Sequence, residues 1–126
     1  MASGSTGTVP TISTHVLDTE LGRPAVGVHV TLYRLSDDGR PLRLTQALTD
    51  GDGRVRDLLE RPLVAGEYRI EFALGPIDPV DTAPPDRAEE HFFRRVAIDL
   101  HVADAGRSYH IPLLLAPYSM TTYRGS

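Results

Sequence analysis

The chain has 126 residues, of which 40% are hydrophobic and 24% charged, and a net charge of −4. These ordinary globular values predict one domain, and they exclude wholesale disorder and a basic surface for nucleic acid or anionic membranes. The chain has no cysteine, and all thirteen of its Lys and Arg positions are Arg. Thiol nucleophiles, disulfides, Cys-ligated metals and Schiff-base lysines are therefore excluded.

The first ten residues contain mostly Gly, Ser and Thr, and they lack the basic and apolar regions of a signal peptide. We therefore expect a flexible extension over residues 1–10 and a single domain over residues 11–126. No apolar run approaches membrane-spanning length. A cytoplasmic protein is the expectation.

Apolar residues then recur with a period of two, the pattern of half-buried strands. Val28, Val30 and Leu32 show it, and so do Ile70 and Phe72. Asp/Gly turn signals separate the runs. The pattern predicts an all-β fold, a two-sheet antiparallel β-sandwich of about eight strands. The predicted strands cover residues 11–17, 26–35, 43–49, 54–58, 67–74, 94–103, 107–116 and 118–124.

Residues 75–86 are rich in proline, which removes backbone donors and excludes a strand or helix interior. The following segment, 86–91, begins with Asp86 as a candidate N-cap and has acidic residues in its first turn. One short helix is therefore predicted there, with His91 as a solvated surface residue.

The strand over residues 107–116 is apolar on both faces, because Leu114 and Ala116 alternate with Ile111, Leu113 and Leu115. A strand of this kind is covered on both sides. In a two-layer domain the second cover comes from another subunit, so the sequence predicts an oligomer with Leu114 in its interface.

Two of the five histidines, His15 and His110, occupy the non-core face of otherwise apolar strands. A buried imidazole needs a hydrogen-bond partner, and its pKa can be adjusted for proton transfer. A satisfied interface histidine and a proton-transfer group are equally good interpretations from the residues alone. His29 and His101 lie on polar strand faces, where a functional role is less expected.

Arg54 follows the turn Asp50-Gly51-Asp52-Gly53, where a solvated cation is the simplest interpretation. The turn lacks the further acidic ligands of a calcium loop, and two histidines without a third ligand are a weak zinc signal. No metal site and no cofactor are therefore predicted. Asp18 either orients an imidazole or opens the turn that follows it.

The last four residues are Tyr123, Arg124, Gly125 and Ser126, which combine a phenol, a cation, a flexible glycine and a terminal carboxylate. Chain ends are usually tolerant of change. These groups instead suit the binding of a small polar molecule, and the His110 segment ends close by in sequence.

Three segments resemble motifs of the 5-hydroxyisourate hydrolases, the enzyme branch of the transthyretin-like family. They are Ser13–Asp18 with Gly22–Ala25, Thr49–Arg54, and Tyr109–Leu115 with Ser119–Ser126. Together they span essentially the whole predicted domain. The chain departs from the family pattern at Arg94, Ala116 and Met120, none of which belongs to the candidate catalytic set.

The resemblance implies a transthyretin-like sandwich that assembles as a homotetramer, with active sites across a dimer–dimer interface. It also implies hydrolytic ring opening of 5-hydroxyisourate, a step of urate degradation, without a metal or cofactor. His110 would be the general base, His15 would hold the water or share the proton, and Arg54 would stabilise the anionic substrate and the developing negative charge. His15, Arg54, Tyr123, Arg124 and Ser126 would bind substrate, with Ser126 also in the catalytic set.

Two other functions remain open. A transthyretin-type carrier would use the same channel for a hydrophobic ligand, but it would need an apolar channel rather than two histidines, an Arg and a polar tail. A structural or adhesive sandwich domain would need none of those residues.

Overall fold

The protein, represented by a computed structural model, is described here over residues 9–75, 85 and 87–125. Ser126 and most of the predicted 1–10 extension lie outside these residues. Within them no helix is both long and apolar enough to cross a membrane. The elements are β1 (Ile12–Asp18), β2 (Arg23–Pro24), β3 (His29–Leu35), β4 (Pro41–Leu48), β5 (Arg54–Val55), β6 (Gly66–Ala73), the 3-10 helix Ala88–Glu90, β7 (Arg95–Val102), β8 (Tyr109–Ala116) and β9 (Ser119–Thr122).

The strands form two sheets, which confirms the predicted sandwich. One sheet has the order β2-β1-β8-β9, with β5 also paired to β1, and the other has the order β4-β3-β6-β7. One feature differs from a wholly antiparallel arrangement: β1 and β8 run parallel, with Thr14 opposite Ile111. Parallel neighbours need a long connection between them. Here almost the whole domain lies between the two strands.

Alternation along the strands divides each sheet into a core face and an outer face. On β1, Ile12, Thr14 and Val16 are buried and face the core, and on β8 Leu113 is fully buried. Burying one such leucine stabilises the fold by about 1.5–3 kcal/mol. The intervening residues Ser13, His15 and His110 therefore lie on the outer face of the sheet.

The predicted helix over residues 86–91 is shorter than expected. A 3-10 helix covers Ala88–Glu90, and Arg87 precedes it with a left-handed φ of 56° and no side-chain cap. The predicted N-cap, Asp86, lies outside the described residues. His91 was wrongly predicted to be solvated, because it is 7% exposed. The Phe92 N–H donates to the Pro117 carbonyl at 2.8 Å, so this segment lies against the β8–β9 turn.

Candidate active site

The structure brings His15, Arg54 and His110 together on the outer face of one sheet. Arg54 of β5 lies opposite His15 of β1, and His110 of β8 lies opposite Ser13 of β1. Side chains opposite each other in neighbouring strands share a face. Beside them is a depression of about 140 Å³, lined by Ser13, Thr14, Arg54, Val55, Arg56 and His110. No carboxylate is found among its described lining residues.

A tight turn positions Arg54. The Asp50 carboxylate accepts the Asp52 N–H at 2.9 Å and the Arg54 N–H at 3.0 Å. Gly53 has a φ of +76°, and a Cβ there would lie 2.4 Å from the Val16 carbonyl oxygen. Only glycine permits this close approach of the turn to β1. The Asp50–Gly53 sequence is thus explained by the turn that places Arg54 beside His15.

His15 is held by the same turn. Its Nε2 lies 2.9 Å from the Asp52 carbonyl oxygen. A carbonyl can only accept a hydrogen bond, so Nε2 carries the proton in this contact. In the neutral ring, Nδ1 is then the nitrogen that remains able to accept a hydrogen bond.

The His110 ring has neighbours on two edges. Its Nδ1 lies 2.9 Å from the Ser13 hydroxyl oxygen. On the opposite edge, a Cβ placed on Gly125 would lie 2.7 Å from the His110 Cδ2 atom. Burial, followed by the positive charges of Arg54 and His15, lowers the pKa of His110 from its ordinary value of 6.5. The ring is therefore predominantly neutral at pH 7, as a proton acceptor must be.

The described tail residues reach this region through Gly125, whose N–H donates to the His110 carbonyl at 2.7 Å. Tyr123 and Arg124 instead line a separate groove of about 290 Å³, with Ile98, Tyr109 and Ile111 among its other walls. The Arg124 guanidinium lies 5.0 Å from the centre of the Tyr109 ring. Tyr123 and Arg124 are thus not among the described residues that line the depression. Ser126 lies outside the described residues.

Sequence reasoning missed two contacts of this site. Ser13 lies two residues before His15, and strand alternation alone places both side chains on one face. Strand alternation could therefore have identified Ser13 as a neighbour of His15, but it could not show that Ser13 contacts His110. The Asp52 contact uses a backbone carbonyl, for which the residue type carries no signal.

The other acidic and histidine candidates lie elsewhere. Asp18 opens a turn, because its Oδ1 accepts the N–H groups of Glu20 and Leu21, each at 3.0 Å. Of its two interpretations, turn opening is therefore the one that the structure supports.

On the other sheet, the His101 ring contacts the Glu67 carboxylate and His29 Nδ1 lies 3.3 Å from Gln46 Nε2. Across the described ranges, no group of three or more His, Asp or Glu side chains is arranged to hold a metal ion.

Comparisons with known proteins identify the family and the fold of this chain. Residues 12–125 match the model of the HIUase/Transthyretin family. The chain is 44% identical to "5-hydroxyisourate hydrolase 2" of Rhizobium meliloti (strain 1021) over 91% of this chain and 95% of that protein. It is 38% identical to the 5-hydroxyisourate hydrolase of Caulobacter vibrioides over 91% of this chain and 97% of that protein.

Two solved structures share the fold. Klebsiella pneumoniae 5-hydroxyisourate hydrolase superposes with a TM-score of 0.71 at 32% identity, covering 93% of this chain and 99% of that one. Sea bream transthyretin, solved in complex with thyroxine, superposes with a TM-score of 0.71 at 24% identity, covering 90% of this chain and 93% of that one. The second likeness bears on the fold alone.

Proposed function

Since the chain belongs to the HIUase/Transthyretin family, we propose that it hydrolyses 5-hydroxyisourate to 2-oxo-4-hydroxy-4-carboxy-5-ureidoimidazoline in urate degradation. The observation that carries this proposal is the shared face of His15, Arg54 and His110, next to a depression with no described carboxylate. Such a site suits an anionic substrate and a proton acceptor. The relatives named above support the choice of substrate.

His110 is the proposed general base. Its pKa, lowered by burial and by its cationic neighbours, keeps the imidazole neutral and able to accept a proton from water. The water oxygen then bonds to the carbonyl carbon, the ring C–N bond breaks, and the proton passes to the departing nitrogen. A positioned base of this kind contributes roughly 10²–10⁴ in rate.

Arg54 and His15 assist in different ways. The guanidinium of Arg54 is a permanent cation that binds the substrate anion and stabilises the negative charge that develops on the carbonyl oxygen. His15, oriented through its Nε2–H contact with Asp52, presents Nδ1 to the attacking water. None of the roles proposed for His110, Arg54 and His15 needs a metal or a cofactor.

The tail completes the substrate site in this proposal. Tyr123, Arg124 and Ser126 hydrogen-bond or pair with the substrate, and Ser126 also belongs to the catalytic set. Tyr123 and Arg124 line the groove rather than the depression of the same chain. We therefore propose that the site is assembled from more than one chain.

The proposed assembly is a homotetramer with active sites at a dimer–dimer interface. Leu17 lies opposite Leu114 on the outer face of the His15 sheet, and Leu114 is only half-buried in the single chain. A second copy that covers these leucines would also close the adjacent depression. The cytoplasmic location stays a prediction from the sequence.

Leu114→Glu tests the assembly. A buried, unpaired carboxylate costs several kcal/mol, so we expect the variant to sediment as a smaller species. Leu42→Glu is the matched control, because Leu42 is 65% exposed on the other sheet, and its sedimentation should equal that of the wild type. An unchanged profile for Leu114→Glu would show that this face is not an interface.

The activity is tested by following the absorbance of freshly generated 5-hydroxyisourate with and without the protein. We expect the decay to accelerate in proportion to protein concentration and to be unaffected by a chelator. Decay at the buffer rate would favour the transthyretin-type carrier, and loss of activity on chelation, restored by zinc, would overturn the metal-free mechanism.

A further inference from the structure

We propose that Ser13 is a positioning residue, whose hydroxyl accepts the Nδ1–H of His110 and so leaves Nε2 of that ring as the proton acceptor. This inference rests on the role given to His110 in the proposed function. Its basis is the contact of 2.9 Å between Ser13 Oγ and His110 Nδ1.

The fold fixes both partners of this contact. Ser13 and His110 are directly opposite each other in the parallel ladder of β1 and β8. Each is followed by a core residue, Thr14 at 1% and Ile111 at 5% exposure. The Thr14 hydroxyl also donates to the Ile111 carbonyl at 2.6 Å. The strands are therefore locked in register, and the hydroxyl and the ring have little freedom to separate.

The opposite edge of the His110 ring is closed by the tail. The Gly125 N–H donates to the His110 carbonyl at 2.7 Å, and a Cβ on Gly125 would lie 2.7 Å from Cδ2 and 3.3 Å from the Cβ and Cγ atoms of His110. The tail backbone therefore packs close to this edge of the ring, and a residue larger than glycine at position 125 would displace it. With Ser13 on one edge and Gly125 on the other, a single ring orientation is favoured.

The choice of tautomer follows from the remaining nitrogen. A neutral imidazole has one N–H and one accepting nitrogen, and a serine hydroxyl can pair with either, so the role of the other nitrogen decides which form is present. No side-chain or backbone partner for Nε2 occurs among the described residues, so Nε2 is the nitrogen left for water or substrate. It can accept a proton only if Nδ1 carries the hydrogen, and Ser13 is then the acceptor.

Nitrogen-15 NMR of the His-labelled protein tests this inference without any substrate. Long-range proton–nitrogen correlations report which ring nitrogen is protonated, and the His110 signals are assigned from their absence in His110→Asn. We expect the Nδ1–H tautomer to dominate in the wild type and in Ser13→Thr. We expect it to lose that dominance in Ser13→Ala.

Ser108→Ala is the matched control. The Ser108 hydroxyl accepts the Thr11 N–H at 2.9 Å, so this variant also removes one hydrogen bond between the segments that begin β1 and β8, but it does not touch the imidazole. It should leave the His110 tautomer unchanged. A dominant Nε2–H form in the wild type, or equal tautomer populations in the wild type and Ser13→Ala, would overturn the inference.

Kinetics provide a second measurement. Ser13→Ala should lower kcat about 3- to 10-fold, the effect of one lost hydrogen bond, with KM unchanged and with Ser13→Thr restoring the rate. Equal losses in Ser13→Ala and Ser108→Ala would show that Ser13 only joins the strands, and would also overturn the inference.

Gly125→Ala, which moves the ring without removing the hydroxyl, should weaken the Nδ1 contact in the same NMR spectra. If the wild type does not hydrolyse 5-hydroxyisourate, the proposed function fails while the NMR result still decides the role of Ser13.

Discussion

Two groups of charged or ionisable side chains lie along strand β1 and differ in how their charges are compensated. At the end of the strand, Asp18 is 5% exposed and lies 2.6 Å from an Arg87 nitrogen. Arg87 also contacts Glu20, and its Nε lies 2.8 Å from Glu90. Earlier in the strand, His15 lies opposite Arg54, with His110 on the same face, and the ionisable residues that line the adjacent depression are all basic.

The pKa values show the consequence. The hydrogen bonds that Arg87 donates to Glu90, Glu20 and Asp18 raise the pKa of Arg87 above its ordinary range. Burial of Asp18 raises its pKa, but the Leu21 N–H and Arg87 outweigh that effect and lower it overall. In the basic group, burial and neighbouring cations both lower the pKa of His110. The compensated charges join segments of the fold, whereas the mainly basic group is the proposed site for an anion and a proton acceptor.

The largest expected effect comes from His110→Asn in the basic group. The amide keeps a polar side chain but cannot accept a proton at neutral pH, so we expect kcat to fall by about 10²–10⁴ with the fold intact. Stopped-flow decay of 5-hydroxyisourate and thermal unfolding measure the two quantities. His101→Asn, on the other sheet, should retain wild-type turnover. Unchanged turnover in His110→Asn would move the base to His15.

Deletion of residues 123–126 should have the next largest effect. It removes the proposed substrate-binding groups and the Gly125 contact with His110, but none of the described residues it removes belongs to the core. Loss of groups that position a substrate can cost roughly 100-fold in rate. We expect turnover to collapse while the melting temperature and oligomeric state stay nearly constant. A C-terminal affinity tag should also be harmful. A fully active truncated protein would refute the role of the tail.

Asp18→Asn should affect stability instead of turnover. It retains an acceptor for the turn but loses the charge opposite Arg87, and a hydrogen bond between charged groups contributes about 2 kcal/mol. Denaturant unfolding should show that loss, with kcat unchanged. Asp57→Asn is the matched control, because Asp57 accepts the Leu59 and Glu60 N–H groups in a similar turn. It should change the free energy of unfolding by less than about 0.5 kcal/mol.

Acidification adds a second measurement on Asp18. Its pKa is lower in the folded than in the unfolded chain, so its contribution is fully present above the unfolded value of about 3.9. The contribution is lost as pH falls through the lower, folded value. The wild type should therefore lose more stability on acidification than Asp18→Asn does. Parallel losses in the two proteins would contradict the assignment.

The smallest expected effect is a shift in the titration of His110. Arg54 is the strongest charge that lowers its pKa, so Arg54→Gln should move the NMR titration midpoint of His110 to higher pH. In the wild type that midpoint, and the acidic limb of kcat/KM, should lie below 6.5. Arg56→Gln is the control, because Arg56 pairs with Asp52 at 3.9 Å, and it should move the midpoint less. Equal shifts in Arg54→Gln and Arg56→Gln would mean that Arg54 does not lower the pKa of His110 more than Arg56 does.

The sequence alone determined which face of each strand is buried. Because Cβ atoms alternate across a strand, Ile12, Thr14 and Val16 had to lie opposite Ser13 and His15. The turn at Asp50–Gly53 was equally legible, because glycine permits the left-handed backbone that the turn requires. The predicted break over residues 75–86 lies almost wholly outside the described residues. Two sheets and an outward-facing His15 and His110 follow from such local rules.

Only the tertiary structure decided which strands are neighbours, and therefore which side chains meet. Ser13 and His110 are 97 residues apart and Asp18 and Arg87 are 69 apart, and no local pattern encodes either pair. The burial of His91 and the placement of Tyr123 and Arg124 beside Tyr109 were likewise not predictable. Strand alternation assigns a side chain to a face, but its partner there depends on the packing of the whole chain, which sets the parallel register of β1 and β8.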